Sequence, residues 1–145
     1  MMYLSRPALS RLLGGALLLP VLAGSAASAG NIEVRVSGIA AAKGKVNVAV
    51  CDKERFLKQC AHSASAPARA GETTVVVKDV PPGTWAVLAY QDENDNGELD
   101  RNLVGIPKEP YGFSRDARSR FGPPSFEDAV IELGDAPAII KVRLR

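Results

Sequence analysis

Asp92, Asn94, Asn96, Glu98 and Asp100 stand at alternate positions in the stretch DENDNGELD, with Gly97 among them. Counted from Asp92, the donors fall at positions 1, 3, 5, 7 and 9 and the glycine at 6. That is the opening of an oxygen-donor loop for a hard divalent cation. Alternate residues of a tightly curled loop point inward, and glycine at the sixth position permits the bend. The seventh position turns its backbone carbonyl inward, so Glu98 would give its carbonyl and not its carboxylate. Position 12 is Leu103, where an EF-hand carries a bidentate glutamate, and a strand leads in where an EF-hand has a helix. The pattern therefore predicts a short calcium loop of the kind found in extracellular β-modules. Its affinity belongs at the weak end, on the order of 10⁻⁴–10⁻³ M, with a structural role. Glu109, Asp116 and Glu127 are the carboxylates that could complete the shell. The same residues also form turns without any metal, because Asn and Asp accept from the backbone two residues on and Gly accepts positive φ.

Downstream runs a second unusual stretch, RNLVGIPKEPYGFSRDARSRFGPPSFED, rich in Gly, Pro and aromatics. Connections of this length are uncommon in compact domains and often functional. Tyr111, Phe113, Arg115, Arg118, Arg120 and Phe121 are the binding candidates, since Tyr, Phe and Arg are favoured interface anchors. The partner expected is a surface or envelope component or a glycan. The other reading is an Ω-like loop whose aromatics cap one end of the fold while its arginines neutralise the acidic turn.

Other chemistry is sparse. His62 is the only histidine, which rules out a multi-histidine zinc site. No nucleophile elbow, zinc-protease motif or phosphate-binding glycine loop occurs. A non-catalytic protein is the expectation. A small-ligand or enzyme-like site between the acidic and arginine-rich loops, and a purely structural domain, are the alternatives.

The elements that must position these loops are strands. NIEVRV puts Ile32, Val34 and Val36 on one face, and KVNVAV does the same with Val46, Val48 and Val50. DKERFLKQC suggests a turn of helix, and the low-bulk segment with Pro67 an edge strand. ETTVVVKDV and TWAVLAY are strands joined by PPGT; FEDAVIEL and AIIKVRLR follow, the last alternating Ile140, Val142 and Leu144. About seven short strands with turn signals between them predict an all-β fold, an immunoglobulin-like or transthyretin-like β-sandwich with one long Gly/Pro/aromatic loop.

Residues 1–29 read as a cleaved signal peptide: Arg6 and Arg11, an apolar run, then Ala27-Ser28-Ala29. Residues 30–145 are then a single exported domain, periplasmic or secreted, with no membrane anchor after cleavage. Removing Arg6 and Arg11 from the 18 basic residues leaves 16 against 16 acidic ones. No global field draws such a chain to nucleic acid. In an oxidising compartment Cys51 and Cys60 read as a disulfide.

Four motifs occur in order: PPGTWAV (Pro81 to Val87), the acidic loop (Asp92 to Asp100), GIPKEPYGFS (Gly105 to Ser114) and GPPSFEDA (Gly122 to Ala129). Together they resemble the bacterial family called domain of unknown function 2141. The resemblance implies an exported, strand-rich domain and leaves the activity open. A histidine often precedes the first aspartate in that family, where this chain has Gln91.

Overall fold

Valine at every second position builds the interior. The computed structural model describes Gly24 and residues 28–145; the expected signal peptide lies outside the described residues, apart from Gly24, Ser28 and Ala29. Among the described residues eight strands form two sheets: β1 (Gly30–Ile39), β2 (Lys45–Cys51), β3 (His62–Pro67), β4 (Gly71–Val80), β5 (Gly83–Asp92), β6 (Tyr111–Phe113), β7 (Val130–Leu133) and β8 (Ala138–Arg143). One sheet has the order β4-β1-β8, antiparallel between β1 and β4 and parallel between β1 and β8. The other has the order β3-β2-β5-β6, with β7 also on β5. The two bury Ile32, Val34 and Val36 of β1, Val46, Val48 and Val50 of β2, and Val75 and Val77 of β4 between them. This is the all-β sandwich that the alternation predicts, with β3 at the edge where Pro67 is tolerated. Of the alternating set in the last strand, Val142 and Leu144 are buried and Ile140 half-buried.

Three local expectations change. The segment read as one strand, FEDAVIEL, begins as a helical turn, Phe126–Ala129, and only Val130–Leu133 are strand. Ser125 caps that turn: its hydroxyl accepts from Asp128 N (3.3 Å) and the Asp128 carboxylate accepts from Ser125 N (3.2 Å). That reciprocal cap outweighs the strand propensity of the residues behind it. Residues 52–60 make turns and no helix, because Asp52 accepts from Arg55 N (2.9 Å), Leu57 takes a φ of 61°, and the Cys51–Cys60 disulfide closes the loop. A bridge over so short a loop stabilises by roughly 2–3 kcal/mol. Finally, the long stretch after the acidic turn is not structureless, since Tyr111–Phe113 join the sheet as β6.

Strand β5 organises the rest. β7 pairs with Gly83–Ala86 and β6 with Leu88–Tyr90, both along the same edge. Val87, between them, would lose its backbone partner. Ser114, fully buried, fills the gap: its hydroxyl accepts from Val87 N (3.0 Å) and donates to the Ala129 carbonyl. β6 also reaches toward the other sheet, where Tyr111 and Arg145 exchange backbone hydrogen bonds at 3.3 and 3.1 Å. The approach is so close that a Cβ on Gly112 would collide with the Arg143 carbonyl. On the outer face of β5 a second apolar cluster forms around Phe113, Phe126, Ala86 and Ala129, with Phe56 packed on it. Two loops hang from this face, and they carry both sets of candidate residues.

Candidate functional site

The acidic loop starts from inside the fold. Asp92 ends β5 and is 1% exposed. Its carboxylate accepts from Asn96 N (3.1 Å) and Gly97 N (2.7 Å), and at 3.4 Å from the Asn47 side chain. Asp95 and Gly97 take positive φ, 55° and 79°, which turns these N–H groups inward. Glycine carries such a φ without strain, as the sequence pattern requires at this position. Asn94 and Asn96 each accept from the backbone two residues on, at 3.3 and 3.0 Å, and each turns its amide nitrogen onto the Asp100 carboxylate, at 2.6 and 2.8 Å. All four side chains thus share one curl.

Glu109 closes it. Its carboxylate, 7% exposed, accepts from Glu93 N (2.9 Å) and Asp100 N (3.0 Å), clasping the two ends of the loop. Of the three carboxylates considered as extra donors, only Glu109 arrives. Asp116 binds Arg118 and Arg145, and Glu127 binds Lys53. Among the described residues no arginine pairs with the acidic turn, which corrects the alternative reading that the loop's arginines neutralise it. Two lysines approach it, Lys45 at 3.0 Å from Asp95 and Lys43 at 3.6 Å from Glu93. Asp92, Asp100 and Glu109 form no ion pair among the described residues. Backbone N–H groups and asparagine amides compensate them instead.

As a cation site the curl offers two carboxylates, two amide side chains and a carbonyl. A hard ion needs oxygens there, so Asn94 and Asn96 would have to rotate their amides and release Asp100. No group of three or more His, Cys, Asp or Glu side chains converges as a metal centre among the described residues.

Beside the acidic loop lies an open cavity of about 620 Å³. Its floor is the outer face of the five-stranded sheet, with Ala49, Leu88 and Tyr90. One wall is the end of the acidic loop and the hairpin after it, with Leu99, Val104 and Ile106. The opposite wall comes from 119–123, and Leu57 and Cys60 close a third side. Asn102 shapes the hairpin: its carboxamide oxygen accepts from Val104 N and Ile106 N, at 3.0 and 2.9 Å. Tyr90 joins the two features, since its ring lines the cavity and its hydroxyl donates to the Gly97 carbonyl at 3.0 Å. Burial first, and the neighbouring Asp92 second, hold the Tyr90 phenol above its ordinary value.

Of the binding candidates, Tyr111, Phe113 and Arg120 line this cavity, and Arg115, Arg118 and Phe121 do not. Phe113 is a buried member of the aromatic cluster, and Phe121 is 91% exposed. Sequence reasoning missed Lys58, Arg101, Leu88 and Tyr90 as lining residues. The period-two alternation marks Leu88 and Tyr90 as the outer face of β5, but nothing local shows that loops cover that face. Gln91 faces inward and donates to the Ala41 and Lys43 carbonyls at 3.0 and 2.8 Å. His62 sits edge-on against Trp85, with ring centres 5.3 Å apart, and does not line the cavity.

Residues 34–141 match the family model for domain of unknown function 2141, described as an uncharacterized protein conserved in bacteria. No curated protein and no solved structure matches the chain.

Proposed function

The chain belongs to the domain of unknown function 2141 family, and on that premise we propose that it is an exported, non-catalytic binding module whose ligand site is the cavity between the acidic and the arginine-rich loops. One observation carries this reading: a recess of about 620 Å³, floored by a rigid sheet and walled by two loops. Its size lies within the ~300–1,000 Å³ of small-molecule sites, which are mostly apolar with a few placed polar groups. Binding fits better than catalysis because, among the described residues, no histidine, carboxylate or free thiol lines the recess. Export is supported by the leader-like first residues and by the disulfide, which suits an oxidising compartment. The test uses Nile red, an uncharged apolar dye. Saturable one-to-one binding is expected, and Ala49→Trp, which fills the floor, removes it. Dye binding that survives Ala49→Trp places the ligand elsewhere and overturns the reading.

A second reading concerns the brace. The acidic loop holds one wall, and calcium held by Asp92, Asn94, Asn96, the Glu98 carbonyl and Asp100 would stiffen it. The supporting observation is that Asp92 and Asp100 lack a basic partner among the described residues. Calorimetry at millimolar calcium should then show heat and a raised melting temperature, both lost in the Asp92→Ala, Asp100→Ala double variant. Absence of both effects in the unaltered protein removes calcium from the account and leaves the cavity reading intact.

A further inference from the structure

The cavity's charge is one-sided. Lys58 reaches it from the disulfide loop, Arg101 from the end of the acidic loop and Arg120 from the opposite wall. These three cations come from separate segments of the chain, yet all line one recess. No Asp or Glu lines it with them. None of the three forms an ion pair among the described residues, although Asp116, Glu127, Glu33, Asp52, Glu93 and Asp95 all hold a basic partner elsewhere. Lys58 and Arg101 are instead steadied by backbone carbonyls: Lys58 Nζ donates to Glu54 O (3.1 Å) and Arg101 Nη1 to Gly105 O (2.9 Å). Such bonds fix a cation's position and leave its charge uncompensated.

Much of the rest of the lining is apolar and partly bare, with Tyr90, Tyr111 and Ser119 as its other polar side chains. Leu57, Val104 and Ile106 border the recess with 44%, 78% and 59% of their surfaces exposed. Leu88 lies half-buried on the floor. Leu57 from the disulfide loop and Val104 and Ile106 from the hairpin thus bring three exposed aliphatic side chains around one recess, and such clustering marks a contact site. A ligand that suits this recess has an apolar tail to cover these side chains and an anionic head to meet the three cations. A sugar would leave the aliphatic walls uncovered, and a cation would be repelled.

We propose that the cavity binds an anionic amphiphile, a single aliphatic chain ending in a phosphate or carboxylate. This rests on the reading of the cavity as the ligand site and specifies its chemistry. The floor and hairpin take the chain, and Lys58, Arg101 and Arg120 take the head. Such a ligand could arrive free in solution or from a membrane, and the chemistry is the same in both cases.

The experiment compares three decyl probes below their micelle-forming concentrations: decyl phosphate, decyl maltoside and decyltrimethylammonium, each displacing bound Nile red. Decyl phosphate is expected to bind on the order of tenfold or more tighter than the cationic probe, because each exposed charge contact contributes up to about fivefold. In the Lys58→Gln, Arg101→Gln, Arg120→Gln variant, shown folded by its melting curve, that preference is expected to vanish. Equal affinities for the phosphate and ammonium probes in the unaltered protein overturn the proposal while leaving the cavity as an apolar site. Nile red that never binds defeats the underlying reading itself. Phosphatidylcholine vesicles carrying lysophosphatidylglycerol, a single-chain anionic lipid, supply the second source: uptake from them in addition to free decyl phosphate supports a membrane-derived ligand. Vesicle binding without decyl phosphate binding moves recognition out of the cavity and also overturns the proposal.

Discussion

The two loops that wall the cavity treat their charges in opposite ways. In the acidic loop, Asp92 and Glu109 are buried and accept four backbone N–H bonds between them, while Asp100 takes two asparagine amides. Its charge is consumed in holding the loop's own shape. The arginine-rich loop, 114–125, is fixed at its two ends, by Ser114 to Val87 and Ala129 and by Ser125 to Asp128. In its middle Asp116 pairs with Arg118 and with Arg145, whereas Arg120 has no carboxylate partner among the described residues. Charge that is internally satisfied belongs to folding, and charge that is placed but unsatisfied is available to a ligand. On the proposed reading the acidic residues that stand out in the sequence are scaffold, and Arg120, already a candidate there, joins Lys58 and Arg101 as the binding candidates.

The sharpest way to break that contrast is to exchange the two kinds of residue for neutral ones. Glu109→Ala leaves Glu93 N–H and Asp100 N–H without their buried acceptor. Hydrogen bonds to a charged group contribute about 1.5–3 kcal/mol, so a loss of roughly 3 kcal/mol is expected. The melting temperature should fall by about 10 °C. Arg120→Gln should change stability by no more than about 0.5 kcal/mol, as for an ordinary surface position. Thermal unfolding of both variants measures this. Similar losses in the two would mean that both loops use their charge for folding.

Next in size is the anchoring of the arginine-rich loop. Ser114→Ala strands the Val87 N–H between β6 and β7 in a fully buried place. An unsatisfied buried donor costs about 1–3 kcal/mol. Ser125→Ala removes an exposed cap and should cost about 1 kcal/mol. Urea unfolding would rank them, and a larger effect at Ser125 would contradict the view that the loop hangs chiefly from β5. The Asp128 carboxyl is held below its usual range, chiefly by the Ser125 hydroxyl and backbone N–H. The folded value is depressed, so the cap contributes fully above the ordinary carboxylate range and is lost as the pH falls through the folded value.

These two serines also mark where the sequence was readable. Ser125 with Asp128 three residues on is a capping pattern visible in the sequence, yet the β-branched residues after it led to a strand reading of the whole segment. Ser114 has no such pattern. Its partners lie 27 and 15 residues away, and its role exists only because β6 and β7 share one edge of β5. The same division runs through the molecule. Alternation in β1, β2 and β8 fixes which face is buried, because a strand's period is local. The donor spacing from Asp92 to Asp100 is likewise local, and those side chains do share one curl. Glu109 as a clasp, and Lys58, Arg101 and Arg120 as one set, depend on where three loops close over a sheet. No local period encodes that.

A smaller effect than the loss of Glu109 or Ser114 is expected at Tyr90, where the two features touch. Its hydroxyl donates to Gly97 O in the acidic loop while its ring lines the cavity. The phenol is held above its ordinary value, first by burial and then by Asp92. A raised folded value favours the protonated form. The contribution is therefore complete below the ordinary phenol value of about 10 and is lost as the pH rises through the folded value. Tyr90→Phe removes the hydrogen bond and should cost about 1 kcal/mol near neutral pH. Unfolding at about pH 8 and about pH 11 should show this difference closing at the higher pH, because only the unaltered protein has a phenol to ionise there. A difference that stays constant would mean that the hydroxyl does not hold the acidic loop. The cavity floor and the brace would then be independent, and the binding wall would keep its position without the carboxylates beside it.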